Sequence, residues 1–110
     1  MCLHRLEKFP VPKDHIGWKI FFRPMKNILT YRFLFLYPYK DLKSNVWLKR
    51  EIEWLGNYYS GFHVYVNRSD AINTKRISKD VLKKVKFGSV ICTGYEKEVQ
   101  VIVAKSIKIL

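Results

Sequence analysis

The sequence predicts an α+β fold: a mainly antiparallel sheet of five or six strands with one or two short helices on one face. Short runs rich in aromatic and β-branched residues, separated by glycine, proline and charged turns, predict the strands. Two helix-like segments follow residues that cap helices well. A chain of 110 residues has the usual size of one domain, so we predict a single domain over residues 1–110.

The first half of the chain begins with charges mixed with two prolines, which predicts an irregular arm over residues 1–14. Residues 16–23 form an extended run that Pro24 is expected to end. Turn residues then lead to a second extended run at 29–37, so the two runs are predicted to pair as a hairpin. The apolar spacing changes over residues 44–55 and predicts a short helix.

The second half begins with a predicted half-buried strand at residues 62–66, where apolar and polar side chains alternate. Short helices are predicted at 70–76 and at 78–83. The last third is predicted to be an antiparallel meander of strands, at 85–87, 89–95 and 99–110.

The charge of the chain is strongly positive: 21 Lys and Arg against nine Asp and Glu give +12 at pH 7. Residues 1–37 carry seven cations and two acids, residues 38–70 five and four, and residues 71–110 nine and three. If the two basic flanks pair in one sheet, they form a continuous positive face. Such a field attracts phosphates, nucleic acid or an acidic protein surface, although solvated lysines alone would also account for it.

A candidate ligand site lies around the strand at 62–66. His63 and Tyr65 share one side of this strand, because residues i and i+2 point the same way, and Arg68 follows closely. An imidazole, a phenol and a guanidinium suit a phosphate or a base. The alternative is a structural histidine and a packing tyrosine.

Further cations extend this site. Basic and aromatic residues interleave in the first hairpin, as they do in proteins that bind single strands, although aromatics inward and cations outward would give the same pattern. Six cations between residues 75 and 86 would contribute phosphate contacts or simply a solvated face. The predicted ligand-binding residues are Lys19, Arg23, Arg32, Tyr59, His63, Tyr65, Arg68, Lys75, Arg76 and Lys79.

An enzymatic function uses the same residues. ADP-ribosyltransferase-like folds combine a polar residue, an aromatic and a downstream Glu, roles that His63, Tyr65 and either Glu96 or Glu98 would take. Cys92 with His63 would make a nucleophile and a base, but Cys92 lies in an apolar strand, where thiols are usually inert. Neither a cofactor motif nor four spaced metal ligands are present, so no cofactor or metal is predicted.

Two cysteines make no disulfide framework, and no charged segment followed by a long apolar run opens the chain. A cytoplasmic location is therefore expected. The longest apolar run, at 33–37, is far shorter than a membrane span, so no membrane partner is expected. A small sheet with many aromatics leaves an apolar patch that a homodimer would cover.

Three segments resemble small, mostly uncharacterised proteins of phages and mobile elements: HIGWKIF at 15–21, GFHVYVNRSDA at 61–71 and VKFGSVICTGYEKEVQVIVAKSIKI at 85–109. This resemblance covers about half the chain and implies an anti-defence protein in the host cytoplasm. We therefore expect a non-enzymatic binder of an anionic partner, either nucleic acid or a phosphate-bearing nucleotide signal. An inhibitor that docks on an acidic protein surface is the alternative.

Overall fold

The computed structural model describes residue 3 and residues 5–26, 28–31, 42–49, 61–75 and 77–110. These residues contain seven strands and one helix. The elements are β1 (Arg5–Leu6), β2 (Ile16–Met25), β3 (Ile28–Tyr31), β4 (Trp47–Lys49), β5 (Phe62–Tyr65), α1 (Arg68–Ile72), β6 (Asp80–Glu96) and β7 (Val99–Ile109). The predicted antiparallel sheet with little helix is confirmed, but the described strands number seven and not five or six.

Four strands, β2, β5, β6 and β7, pair with one another in a closed ring. β6 pairs with β2, β6 also pairs with β7, and β7 pairs with β5, all antiparallel. β5 meets β2 at one position, Trp18 opposite Tyr65, which closes the ring. The remaining strands extend its edges, since β1 pairs with β6, β3 with β2, and β4 with β7. The two basic flanks of the sequence therefore lie in one sheet, through β2 and β6.

The length of β6 allows this closure. It has 17 residues, and its first part pairs with β2 while the rest pairs with β7. Its register with β7 shifts between Val90 and Cys92, and a bulge of this kind bends a strand and increases its twist. The predicted strands at 85–87 and 89–95 are consequently one strand that continues through Gly88.

The inside of the ring holds the main core. Phe21, Phe62, Phe87, Ile102 and Ile107 belong to this cluster and are at most 2% exposed. Gly17 is required where β2 crosses β5, because a Cβ there would collide with Val64 Cγ1 and lie 3.0 Å from the Tyr65 carbonyl oxygen. Only a residue without a side chain allows so close an approach of the two strands.

A second cluster covers part of the outside of the ring. Leu3, Tyr65, Ala71, Val101 and Val103 are buried in it. Ala71 is the buried residue of α1, so the short helix packs on the outer face over β2 and β5. The helix covers residues 68–72 and not the predicted 70–76.

The arm at residues 1–14 is not wholly irregular. β1 lies within it, with Arg5 opposite Tyr95 and Leu6 opposite Gly94. The Thr93 hydroxyl donates to the carbonyl oxygen of Glu7 at 2.6 Å, and the Glu7 amide donates to the Thr93 carbonyl oxygen at 3.2 Å. These contacts attach the arm to the outer edge of β6.

The first hairpin is confirmed over the described residues, because β2 and β3 pair antiparallel. Pro24 does not end β2, which continues to Met25. The pairing register shifts between Phe22 and Met25, and a bulge is where a strand tolerates a proline, which has no amide hydrogen to donate. The predicted run at 29–37 lies outside the described residues beyond Tyr31.

Two predicted helices are wrong where the structure describes them. Residues 47–49, inside the predicted helix at 44–55, form β4, and positions 50–55 lie outside the described residues. Residues 80–83, inside the predicted helix at 78–83, begin β6. Val81 packs against the inner core and Leu82 against the outer cluster, so adjacent side chains point to opposite faces, as they do in a strand.

Candidate nucleic-acid interface

The predicted site residues separate into small groups. Lys19 and His63 are in contact, because the Lys19 ammonium donates a 3.0 Å hydrogen bond to the His63 carbonyl oxygen. The backbones of β2 and β5 pair at Trp18 and Tyr65, and Lys19 follows that position directly. The Lys19 side chain thus adds a hydrogen bond between β2 and β5 next to their point of backbone pairing.

His63 and Tyr65 lie on the outer side of β5, as predicted, opposite Val103 and Val101 of β7. Tyr65, however, is 3% exposed and belongs to the outer cluster beneath α1. His63 is half-buried. For Tyr65 the structure therefore favours the packing role, since burial removes the ring from a ligand.

The other predicted cations are dispersed. Arg23 is half-buried, and its amide donates to the carbonyl oxygen of exposed Lys79 at 2.9 Å. Arg68 lies at the start of α1, and Lys75 is exposed beyond the end of that helix. Arg32, Tyr59 and Arg76 lie outside the described residues.

A different group of side chains shares one open surface. Ile16 pairs with Lys86, Lys86 pairs with Lys108, and Lys108 pairs with Trp47, so four residues form one row across β2, β6, β7 and β4. The neighbouring residues Val85, Ile107 and Ile109 point into the inner core. Because side chains alternate along strands, the row points outward.

A second pair lies beside this row. Trp18 and Lys84 are cross-strand partners on β2 and β6, two residues from Ile16 and Lys86. We define the tryptophan–lysine face by five residues of this outer surface: Trp18, Trp47, Lys84, Lys86 and Lys108. Trp47 is 43% exposed, Trp18 and Lys108 are half-buried, and Lys84 and Lys86 are exposed.

Cations lie near both indole rings of this face. The Lys108 Nζ is 5.2 Å from the ring centroid of Trp47, and the Lys84 Nζ is 5.9 Å from that of Trp18. Arg68 adds its guanidinium carbon at 5.8 Å from the Trp18 centroid. Arg68 is the predicted site residue that the structure brings to the tryptophan–lysine face.

The lysines of this face are not neutralised by described acidic residues. An ion pair joins Arg5 to Glu7, but none of Lys84, Lys86 and Lys108 lies within 4.0 Å of a described carboxylate oxygen. Lys86 and Lys108 face each other directly, which is unfavourable for like charges on adjacent strands. The face therefore concentrates positive charge beside two aromatic rings.

The suggested Cys92 and His63 dyad does not form. Both residues are cross-strand partners of Val103, which lies between them on β7. No hydrogen bond joins the thiol to the imidazole. Burial raises the pKa of the Cys92 thiol, and this shift opposes formation of the nucleophilic thiolate. Among the described residues, no cluster of three or more His, Cys, Asp or Glu could hold a metal ion.

Comparison with known proteins gives no assignment: the sequence matches no protein-family model, and neither curated proteins nor solved structures show significant similarity to it. Within the described part of the chain, no helix is long and apolar enough to cross a membrane.

Sequence reasoning missed Trp47, Lys84, Lys86 and Lys108 as one surface. The sequence predicts Lys84 and Lys86 only as part of the basic stretch at 75–86, and it predicts a helix at 44–55 that would contain Trp47. Alternation of lysine with buried apolar residues at 84–87 is the local signal that an outward lysine row exists. The position of Trp47 beside Lys108 depends on pairing between β4 and β7, which are far apart in sequence.

Proposed function

We propose that this protein binds nucleic acid, without catalysis, through the tryptophan–lysine face. The observation that carries the proposal is the row in which Lys86 and Lys108 face each other next to exposed Trp47. The resemblance to phage and mobile-element proteins suggests the setting, in which such binding would act against host defence.

The charge arrangement supports an anionic partner. Two ammonium groups held opposite each other repel, and a phosphate between them would convert that repulsion into attraction. The net charge of +12 adds a long-range field that speeds the approach of a polyanion. Lysines are point charges that contact phosphates without reading sequence, so the expected binding has low sequence specificity.

The extent of the face favours a polymer over a single nucleotide. The row spans four adjacent strands, and three steps between strands cover about 14 Å along the sheet. Successive phosphates of one strand of a duplex are about 3.4 Å apart along the helix axis, and the direct distance between them is larger. The row therefore extends beyond a single phosphate, and its two lysines can contact neighbouring phosphates of one strand.

The test measures binding of fluorescently labelled oligonucleotides over a range of salt concentrations. We expect affinity to fall steeply with salt, because each neutralised phosphate releases counterions. The double substitution Lys86→Gln and Lys108→Gln should weaken binding and reduce the slope of log affinity against log salt by about 2, one unit per lost phosphate contact.

The matched control removes two charges elsewhere. Lys26 lies in the β2–β3 turn and Lys13 in the arm, and both are exposed. The double substitution Lys13→Gln and Lys26→Gln gives the same net charge but leaves the face intact, so it should retain most of the affinity. Equal losses in the two variants would contradict a localised site, and absence of binding to every oligonucleotide would contradict the proposal.

A further inference from the structure

We infer that the nucleic acid is single-stranded, and that unpaired bases stack on Trp47 and Trp18 while phosphates contact the lysines between them. This inference rests on the proposed function and adds the form of the ligand. The inference depends on the positions of the two indole rings: Trp47 on β4 and Trp18 on β2 lie at opposite sides of the tryptophan–lysine face.

Trp47 has the features of a stacking platform. A Cβ added to Gly88 would lie 3.4 Å from Cζ3 and 3.6 Å from Cη2 of Trp47, so the six-membered ring rests against the backbone of β6. Lys108 lies near the same ring. The side chain is nevertheless 43% exposed, which leaves indole surface accessible to a base.

Trp18 is held more firmly. It is half-buried, packs against the outer cluster and is the cross-strand partner of Tyr65. Arg68 and Lys84 lie near its ring, at 5.8 and 5.9 Å from the centroid. Cations beside an aromatic platform are typical of proteins that bind single strands, because they contact the phosphates next to each stacked base.

The same geometry disfavours a duplex. Bases inside a duplex are already stacked and paired, so they present edges and not faces to a protein. Proteins that read a duplex usually insert a helix or a ribbon into a groove. The described helix has five residues and packs against the sheet, whereas the tryptophan–lysine face consists of sheet surface.

The experiment compares three polyanions: a single strand of about twelve nucleotides, a duplex of the same sequence, and inorganic polyphosphate, which has charge but no bases. For each polyanion, the affinity is measured at one salt concentration for the wild-type protein and for the variants Trp47→Leu, Trp47→Phe and Trp18→Phe. We expect tightest binding to the single strand. Trp47→Leu should lower that affinity about tenfold, the scale of one lost base stack, while binding to polyphosphate stays unchanged.

A conservative variant and a stability measurement distinguish loss of base stacking from loss of the fold. Trp47→Phe keeps an aromatic face and should recover part of the lost affinity, and thermal unfolding of each variant identifies any loss of fold. Single-stranded RNA and DNA are both measured, and preferential binding of either over its duplex supports the inference.

Two failures remain distinguishable. If wild-type protein binds single strand, duplex and polyphosphate equally, and Trp47→Leu changes none of them, the stacking inference is overturned while the charge-based proposal stands. If none of the three polyanions binds, the proposed function fails as well. Binding to an acidic protein alone would also overturn both.

Discussion

Lys86 on β6 and Lys108 on β7 are direct cross-strand partners, and both side chains leave the outer side of the sheet. An antiparallel sheet brings directly opposed Cβ atoms to about 4.5–5.5 Å, where like charges destabilise the pair. On β7, Lys108 also contacts the ring of Trp47 across the next strand boundary. The same residues that weaken the isolated fold thus create the surface proposed to bind phosphate.

This relationship predicts that stability and binding respond in opposite directions to one substitution. Lys86→Glu places a carboxylate opposite Lys108 and should raise the free energy of unfolding by about 0.2–1 kcal/mol. It should also weaken nucleic acid binding, because a phosphate would meet a negative side chain. Chemical denaturation at low salt and fluorescence anisotropy measure the two effects.

Lys26→Glu is the matched control for that substitution, since Lys26 is exposed in the β2–β3 turn, remote from the tryptophan–lysine face. It makes the same change in net charge and should leave the stability almost unaltered. A Lys86→Glu variant that is less stable than Lys26→Glu would show that the cross-strand repulsion is unimportant.

The crossing of β2 and β5 predicts strong sensitivity at Gly17. Gly17→Ala would push a methyl group into Val64 Cγ1 and towards the Tyr65 carbonyl, and overpacking in a filled core costs about 1–3 kcal/mol. The measurement is the free energy of unfolding in urea. Because both strands are fully packed at this point, we expect a large loss.

A double-mutant cycle identifies the cause of that loss. Val64→Ala alone should destabilise the protein by removing buried methyl groups. In the double variant, however, the smaller side chain at position 64 removes the clash between the new Cβ at position 17 and Val64 Cγ1. The two effects should therefore be less than additive. Full additivity would mean that Gly17 is needed for a reason other than its contact with Val64.

Local sequence patterns are sufficient to predict a strand when its residue types do not depend on which distant strand it pairs with. Alternation predicts β5 and β-branched residues predict β7, and the structure confirms both strands. The predicted helix at 78–83 is wrong because Val81 packs against the inner core and Leu82 against the outer cluster, an alternation that becomes visible only when both clusters are known. Tertiary burial overrode the local preference.

The candidate site was harder to predict than the fold. Its residues come from four strands, and their proximity depends on the registers of β6 with β7 and of β7 with β4. The charge of Lys19 next to aromatic residues predicts a ligand contact, but its ammonium donates a hydrogen bond to the His63 carbonyl oxygen at the closure of the ring. Charge pattern identified a basic protein, whereas strand register determines which cations share a surface.

Lys19 is accordingly predicted to contribute to stability more than to binding. Lys19→Met keeps the apolar stem but removes the donor to the His63 carbonyl oxygen, which should lower the free energy of unfolding by about 1 kcal/mol. Lys83, its direct cross-strand partner, provides the control because its side chain makes no hydrogen bond with a described residue, so Lys83→Met removes the same charge alone. Equal stability of the two variants would contradict this role.

The half-buried thiol of Cys92 gives a prediction about pH. Desolvation raises its pKa above the ordinary thiol value of 9.0, so the folded protein holds the thiol proton at pH values where an unfolded chain has lost it. Stability should therefore decrease as pH rises from 9.0 through the folded-state value, because the unfolded state then binds fewer protons.

In a Cys2→Ala background, alkylation of Cys92 at pH 8 should be slower in the folded protein than in denaturant. Cys92→Ser removes the thiol and should reduce this loss of stability with pH; an unchanged loss would show that other groups cause it.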